Sequence, residues 1–176
     1  MPADYLRTKP REGERPATII TATSNRRGYV ETGCSAADLI WPEEKASRFR
    51  ELGPALAAFQ KAMDALGVPD KVTTFTLSDF GRTFRINANA GTDHAWGSHH
   101  LVMGGGVRGR AFYGRFPNLA MGGADDAGDD GQWIPTTSIE QYGATLAKWF
   151  GVKSTALAHV FPNLPAFAVT DLGFLA

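Results

Sequence analysis

The stretch from Pro42 to Asp79, PEEKASRFRELGPALAAFQKAMDALGVPDKVTTFTLSD, decides the fold class. Pro42 suits the first turn of a helix, and Glu43 and Glu44 suit its electropositive end. Phe49, Leu52, Leu56, Phe59, Met63 and Leu66 recur at spacings of three and four, one apolar stripe that predicts an amphipathic helix with its core face along it. Gly53-Pro54 removes a backbone donor and restricts the preceding residue, which predicts a kink or break. Gly67 and Pro69 are a stop signal. Val72 to Leu77 (VTTFTL) is β-branched and aromatic, and Ser78-Asp79-Phe80-Gly81 after it reads as a loop. Helix, short loop and strand in that order predict an α/β fold, in which ligands bind beyond the carboxyl ends of strands. Asp79 stands at that position.

Upstream, residues 1–42 hold charged and turn-forming residues around one strand candidate, Ala17 to Thr23 (ATIITAT), and read as a loosely ordered segment apart from residues 43–176. Downstream, residues 81–131 carry 12 of the 20 glycines and three of the four histidines, the composition of a functional loop surface more than of a core. Leu101 to Met103 and Ala111 to Tyr113 read as short strands around the GGGVRGR turn. Thr137 with Glu140 makes a capping-box pattern before a helix whose apolar face is Ile139, Tyr142, Leu146, Trp149 and Phe150, closed by Gly151. Ser154 reads as the cap of a last short helix ending before Pro162.

Composition excludes several classes. With 176 residues and 43% hydrophobic content the chain can bury a core, so global disorder is out. Eighteen basic and eighteen acidic residues cancel, which leaves no electrostatic footprint for nucleic acid or an anionic membrane. A lone cysteine, Cys34, makes no internal disulfide and no Cys-x-x-Cys site. No apolar run approaches the roughly 20 residues that span a bilayer. The polar opening is no secretory signal, and Arg26-Arg27 lacks the apolar core of a twin-arginine signal, so the expected location is the cytoplasm.

The residues with most chemistry are Asp79, Asp93, His94, His99 and His100. Carboxylate and imidazole together suit zinc or another divalent transition metal. His99 lies five residues beyond His94, so loops must bring them together, and loop histidines bonded to backbone and water are the plain alternative. Five arginines (82, 85, 108, 110 and 115) flank them, and their guanidinium forks match phosphate or sulfate oxygens. Arg82, close to Asp79, is the oxyanion candidate, whereas Arg108 to Arg115 read as solvated or paired with the acidic loop. Three other patterns fail. Gly104, Gly106 and Gly109 lack the following helix that a dinucleotide site needs. GGADDAGDDG (Gly122 to Gly131) has Thr137 where a calcium loop needs its glutamate, and reads as a solvated loop. There is no G-x-S-x-G nucleophile elbow. Cys34 and Ser35 lie in the poorly patterned start, Ser98 reads as a supporting hydrogen-bonding group, and His159 as a core or capping residue.

The phrases VTTFTLSDFGRT, GTDHAWGSHHLVMGGGVRGR, WIPTTSIEQYGATLAKWFGV and VFPNLPAF, in that order, resemble the C-terminal part of the DUF1501 family, over roughly Leu52 to Ala176. The resemblance implies kinship with alkaline phosphatases and sulfatases, hence part of an α/β sandwich with a metal site at strand ends. It also implies relatives that are longer and often exported by the twin-arginine route. By position, Asp79 resembles the strand-end metal ligand, with Phe80 where a histidine often follows, and His94 or His99 the downstream one. Asp93 and Arg82 complete the candidate set, with zinc or manganese as the metal and a phosphate- or sulfate-bearing small molecule as ligand. Upstream, ETGCSAADLIWPEEK lacks the Asp-Thr-His phrase the family leads one to expect. Two-metal displacement needs both metals and an aligned nucleophile. The expectation is therefore a truncated domain with part of a metal and oxyanion site and little or no hydrolysis alone. The alternatives are a non-catalytic assembly module, pairing with itself or a companion chain through exposed sheet edges, and a small single-metal ester hydrolase.

Overall fold

The computed structural model describes residues 42–89 and 91–176, the first seven of them by backbone only. The strand candidate Ala17–Thr23, the order expected of residues 1–41, Arg26-Arg27, Cys34 and Ser35 lie outside the described residues.

Helix α1 spans Pro42–Ala65 without a break. The expected interruption at Gly53-Pro54 does not occur. Proline removes one amide donor there, and the helix-forming residues on either side carry the helix across it. The helix stops where expected. Gly67 takes φ 70°, its amide donates to the Asp64 carbonyl, and Val68 N donates to Met63 O, the paired bonds of a Schellman ending. The apolar stripe is not the core face that the spacing predicts. Met63 is buried, Leu56 and Phe59 are half-buried, and Phe49 (68% exposed), Leu52 and Leu66 face solvent. The helix packs on the short turn Pro69–Lys71, and the two-stranded sheets among the described residues are too small to cover its whole stripe.

Among the described residues four short strands follow: β1 (Thr73–Phe75), β2 (Gly81–Arg82), β3 (His94–Ala95) and β4 (Val102–Gly104). They form two separate antiparallel pairs. In one, Thr73, Thr74 and Phe75 lie opposite Gly104, Met103 and Val102; in the other, Gly81 and Arg82 lie opposite Ala95 and His94. The architecture is thus mixed helix and strand, with two-stranded sheets and no parallel pair among the described residues. The expected strand at Leu101–Met103 forms one residue later. The one at Ala111–Tyr113 does not form. That segment has no partner strand, Phe112 is 84% exposed, and the chain reverses through Arg110 at φ 61°, with Tyr113 Oη donating to Arg108 O.

Helix α2 (Ile139–Phe150) starts in a capping box one residue later than the sequence suggests. Ser138 Oγ accepts from Gln141 N, and Gln141 Oε1 accepts from Ser138 N. Glu140 instead accepts from Asn163 Nδ2. Gly151 ends α2 with φ 112°. Helix α3 (Ser154–Val160) is preceded by Lys153 as its cap, so Ser154 is its first residue and does not cap it. His159 is exposed in its last turn and belongs to no core. Ala144, Leu157 and Leu164 form a buried apolar cluster, with Ala147, Val152 and Phe161 against it. No helix among the described residues is long and apolar enough to cross a membrane.

Candidate ligand-binding site

The β2–β3 ladder brings two sequence-distant phrases together. Arg82 lies directly opposite His94, and Thr83 N donates to Asp93 O at 3.1 Å. The pairing depends on a close backbone crossing. A Cβ on Gly81 would stand 2.0 Å from Gly97 O, and one on Gly97 would stand 2.5 Å from Trp133 O. Glycine at both positions lets three chain segments stack.

On this ladder the Phe80 ring is the platform. The His94 ring stacks on it, with centroids 4.0 Å apart and planes 20° from parallel, and the Arg82 guanidinium sits 5.2 Å from its centroid. Phe80 thus occupies the place where the resemblance led one to expect a histidine, and it supports the two flanking side chains by stacking. Arg82 Nη1 also donates to Thr92 O at 2.9 Å, which fixes the direction of the guanidinium. Asp93 is fixed as well. Its amide donates to the buried Thr83 hydroxyl, and its Oδ1 accepts from Asn87 Nδ2 at 2.8 Å. Asn87 in turn closes the loop by accepting from the amides of Asn89 and Gly91. Asp79 is exposed at the bend before Phe80, where Ser78 Oγ donates to Phe80 O.

The histidines divide. His94 belongs to the ladder. The His99 ring stacks on Phe116 and the His100 ring on Tyr142, because successive residues of an extended segment project to opposite sides. Burial, and then the neighbouring His99, lower the pKa of His100. Among the described residues no three side chains of His, Cys, Asp or Glu converge on one point.

The acidic loop differs from the solvated loop that the sequence suggests. Asp126 accepts from four backbone amides, those of Gly122, Gly128, Gly131 and Gln132, at 2.7–3.2 Å. Desolvation works against its charge, and the four amides outweigh it, so its pKa lies below the ordinary carboxylate value. Asp125 holds Arg115 by two bonds of 2.8 and 3.0 Å and accepts from Asn118 N, and these partners draw its pKa down to about 2. Asp130 lies 3.2 Å from Arg85. The pairing of Arg115 with this loop agrees with the sequence reading. The role of Asp126 was missed, and its signal is the set of three glycines around it, whose amides approach a carboxylate unhindered by side chains. Gly104 ends β4 and Gly105-Gly106 make the turn after it, with Val107 N donating to Gly104 O, and no helix follows Gly109.

A family profile described as "Protein of unknown function (DUF1501)" matches residues 41–136. The chain belongs to the DUF1501 family. The match takes in α1, all four strands and every candidate ligand-binding residue, and it stops before α2. No curated protein and no solved structure matches the sequence.

Proposed function

We propose that this DUF1501 chain is part of an alkaline-phosphatase/sulfatase-like sandwich. Its β2–β3 end keeps part of an oxyanion and metal site, with little or no ester hydrolysis by the chain alone. The observation that supports this reading is the register of Arg82 opposite His94, with both side chains on the Phe80 ring. A guanidinium and an imidazole opposite each other on the ladder suit a phosphate or sulfate ester, and His94 with Asp79 and Asp93, its neighbours on the two strand phrases, supplies donor types that suit a zinc or manganese ion.

The donors do not close around a single ion among the described residues, so the fit is to part of a site. His94 and Asp79 are exposed, and Asp93 already gives one oxygen to Asn87. A bound metal in such a site polarises an ester oxygen. What the chain's own groups do is narrower: Arg82 orients an oxyanion, and His94 presents a ring nitrogen beside it. With no nucleophile aligned on Arg82 and His94 among the described residues, binding without turnover is the expected outcome.

Elemental analysis of the purified chain, with Asp79→Ala and His94→Ala variants, tests this. Stoichiometric zinc or manganese lost in both variants supports it, and a folded chain without metal overturns the metal part. Metal-dependent turnover of an aryl phosphate or sulfate would overturn the claim of inactivity and favour the single-metal hydrolase. The assembly-module reading is favoured by a separate observation, the exposed apolar residues Phe75 and Leu77 beside a sheet edge that no strand among the described residues covers.

A further inference from the structure

Among the described residues, strand β1 pairs on one side only. Thr76 N donates to Leu101 O at 3.0 Å, in step with Thr74 opposite Met103, so Thr74 and Thr76 direct their backbone groups towards β4. By the alternation of an antiparallel ladder, the N–H and C=O groups of Thr73 and Phe75 point the other way. They meet no backbone partner among the described residues. The edge carries none of the devices that block strand addition: residues 72–78 hold no charge, no proline and no bulge. Beside it Phe75 (47% exposed) and Leu77 (62% exposed) line an apolar groove of about 250 Å³ with Ile139, Leu146 and Phe161. A two-stranded ladder is a marginal unit by itself, and more strands stabilise it.

The sequence around this edge is complementary to itself. If Lys71–Asp79 (KVTTFTLSD) runs antiparallel to a second copy about an axis at Phe75, residue 73 meets residue 77 of the other copy. Phe75 then meets Phe75, and Lys71 meets Asp79 at both ends. In the single chain Lys71 lies 3.2 Å from the adjacent Asp70, with both side chains more than half exposed, a pair of little energetic weight. An unrelated strand has no reason to carry the matching charges, whereas a second copy supplies both.

We propose that β1 is the interface strand of a two-fold dimer of this chain, joined through residues 73–77 into a four-stranded antiparallel sheet, with Lys71 in the turn before the strand facing Asp79 at the bend after it at both ends. Phe75 exchanges both backbone hydrogen bonds with its counterpart, and Phe75 and Leu77 become buried. The inference rests on the assembly reading and does not depend on ligand binding at Arg82 and His94.

Sedimentation velocity over a concentration series tests it. The unaltered chain shows a monomer–dimer equilibrium. Lys71→Glu sets like charges opposite each other at both ends and weakens the dimer by about tenfold. The double exchange Lys71→Glu with Asp79→Lys restores it. Both positions are exposed, so the fold survives, which circular dichroism checks. A monomer at all concentrations overturns the proposal, as does a dimer indifferent to Lys71→Glu or not rescued by the exchange. A monomer that takes up an added strand peptide also overturns it, in favour of a companion chain. The exchanged variant lacks the Asp79 carboxylate, so it separates the two readings: restored association with lost metal supports both, and each fails independently.

Discussion

Gly81 and Asp125 show how single residues hold the β2–β3 ladder and the acidic loop in place. At Gly81 the added Cβ of alanine would lie 2.0 Å from a backbone oxygen, which no rotamer change relieves. Gly81→Ala should therefore separate β2 from the Gly97 segment at a cost of about 2–3 kcal/mol or more, read from the denaturant midpoint, and should loosen the Arg82–His94 pairing with it. At Asp125 the pKa is drawn down to about 2 by Arg115 and by Asn118 N. A depressed carboxyl contributes stability above its ordinary pKa and loses it as pH falls through the folded value. Acid unfolding should thus steepen between about pH 4 and pH 2, and Asp125→Asn should flatten that limb. The sequence showed which residue types stand here. It did not show which carboxylate each arginine meets, since Asp125, Asp126, Asp129 and Asp130 are chemically alike until the loop's turns order them.

Elements were legible where their signals are local. The stop of α1 at Gly67, the cap of α2 by a Ser/Thr-x-x-Glu/Gln pattern and its end at Gly151 all rest on groups a few residues apart. The one-residue error at α2 has a plain cause: Thr137/Glu140 and Ser138/Gln141 both satisfy the pattern, and only the backbone path chooses between them. Ser138→Ala should cost about 1 kcal/mol, while Thr137→Ala should leave the α2 cap intact, a contrast that thermal unfolding of the two variants measures. The apolar stripe of α1 was legible as a helix face but not as a buried one, because periodicity reports amphipathicity and says nothing of what covers the face. Pro54 sits inside this exposed helix, and a Cβ on Gly53 would meet nothing within 4 Å. Gly53→Ala should therefore stabilise by about 0.5–1 kcal/mol and Pro54→Ala by up to about 3 kcal/mol, with a rise in helical circular dichroism.

At the scale of the molecule, the pairing of β1 with β4 and of β2 with β3 was not legible, since register between distant segments leaves no periodic trace in a two- or three-residue strand. Nor was the way the glycine-rich half is joined to the helices. That joint is the tail after α3, which runs back between them. Gln141 Nε2 donates to Val169 O, Leu172 N to Thr145 Oγ1, Arg108 N to Phe174 O and Ala176 N to Gly106 O, and Lys148 pairs with Asp171. Phe174, 3% exposed, lies at the centre, with its ring 5.7 Å from Tyr113 and 5.8 Å from Tyr142. Tyr142 in turn donates to Thr76 O beyond the end of β1, so one aromatic chain links the tail, α2 and the sheet edge. The family match ends at residue 136, yet the strands it covers rest on residues after it. Phe174→Ala should accordingly cost about 3–5 kcal/mol, the range for emptying a buried aromatic site. The loss should not be uniform. Amides of residues 102–108 and of the tail should exchange hydrogen sooner, while those in the middle of α2, held by the Ala144–Leu157–Leu164 cluster, keep their protection. Equal loss of protection in both halves would mean that the ring chain is not the joint and that the two halves fold as one unit by other contacts.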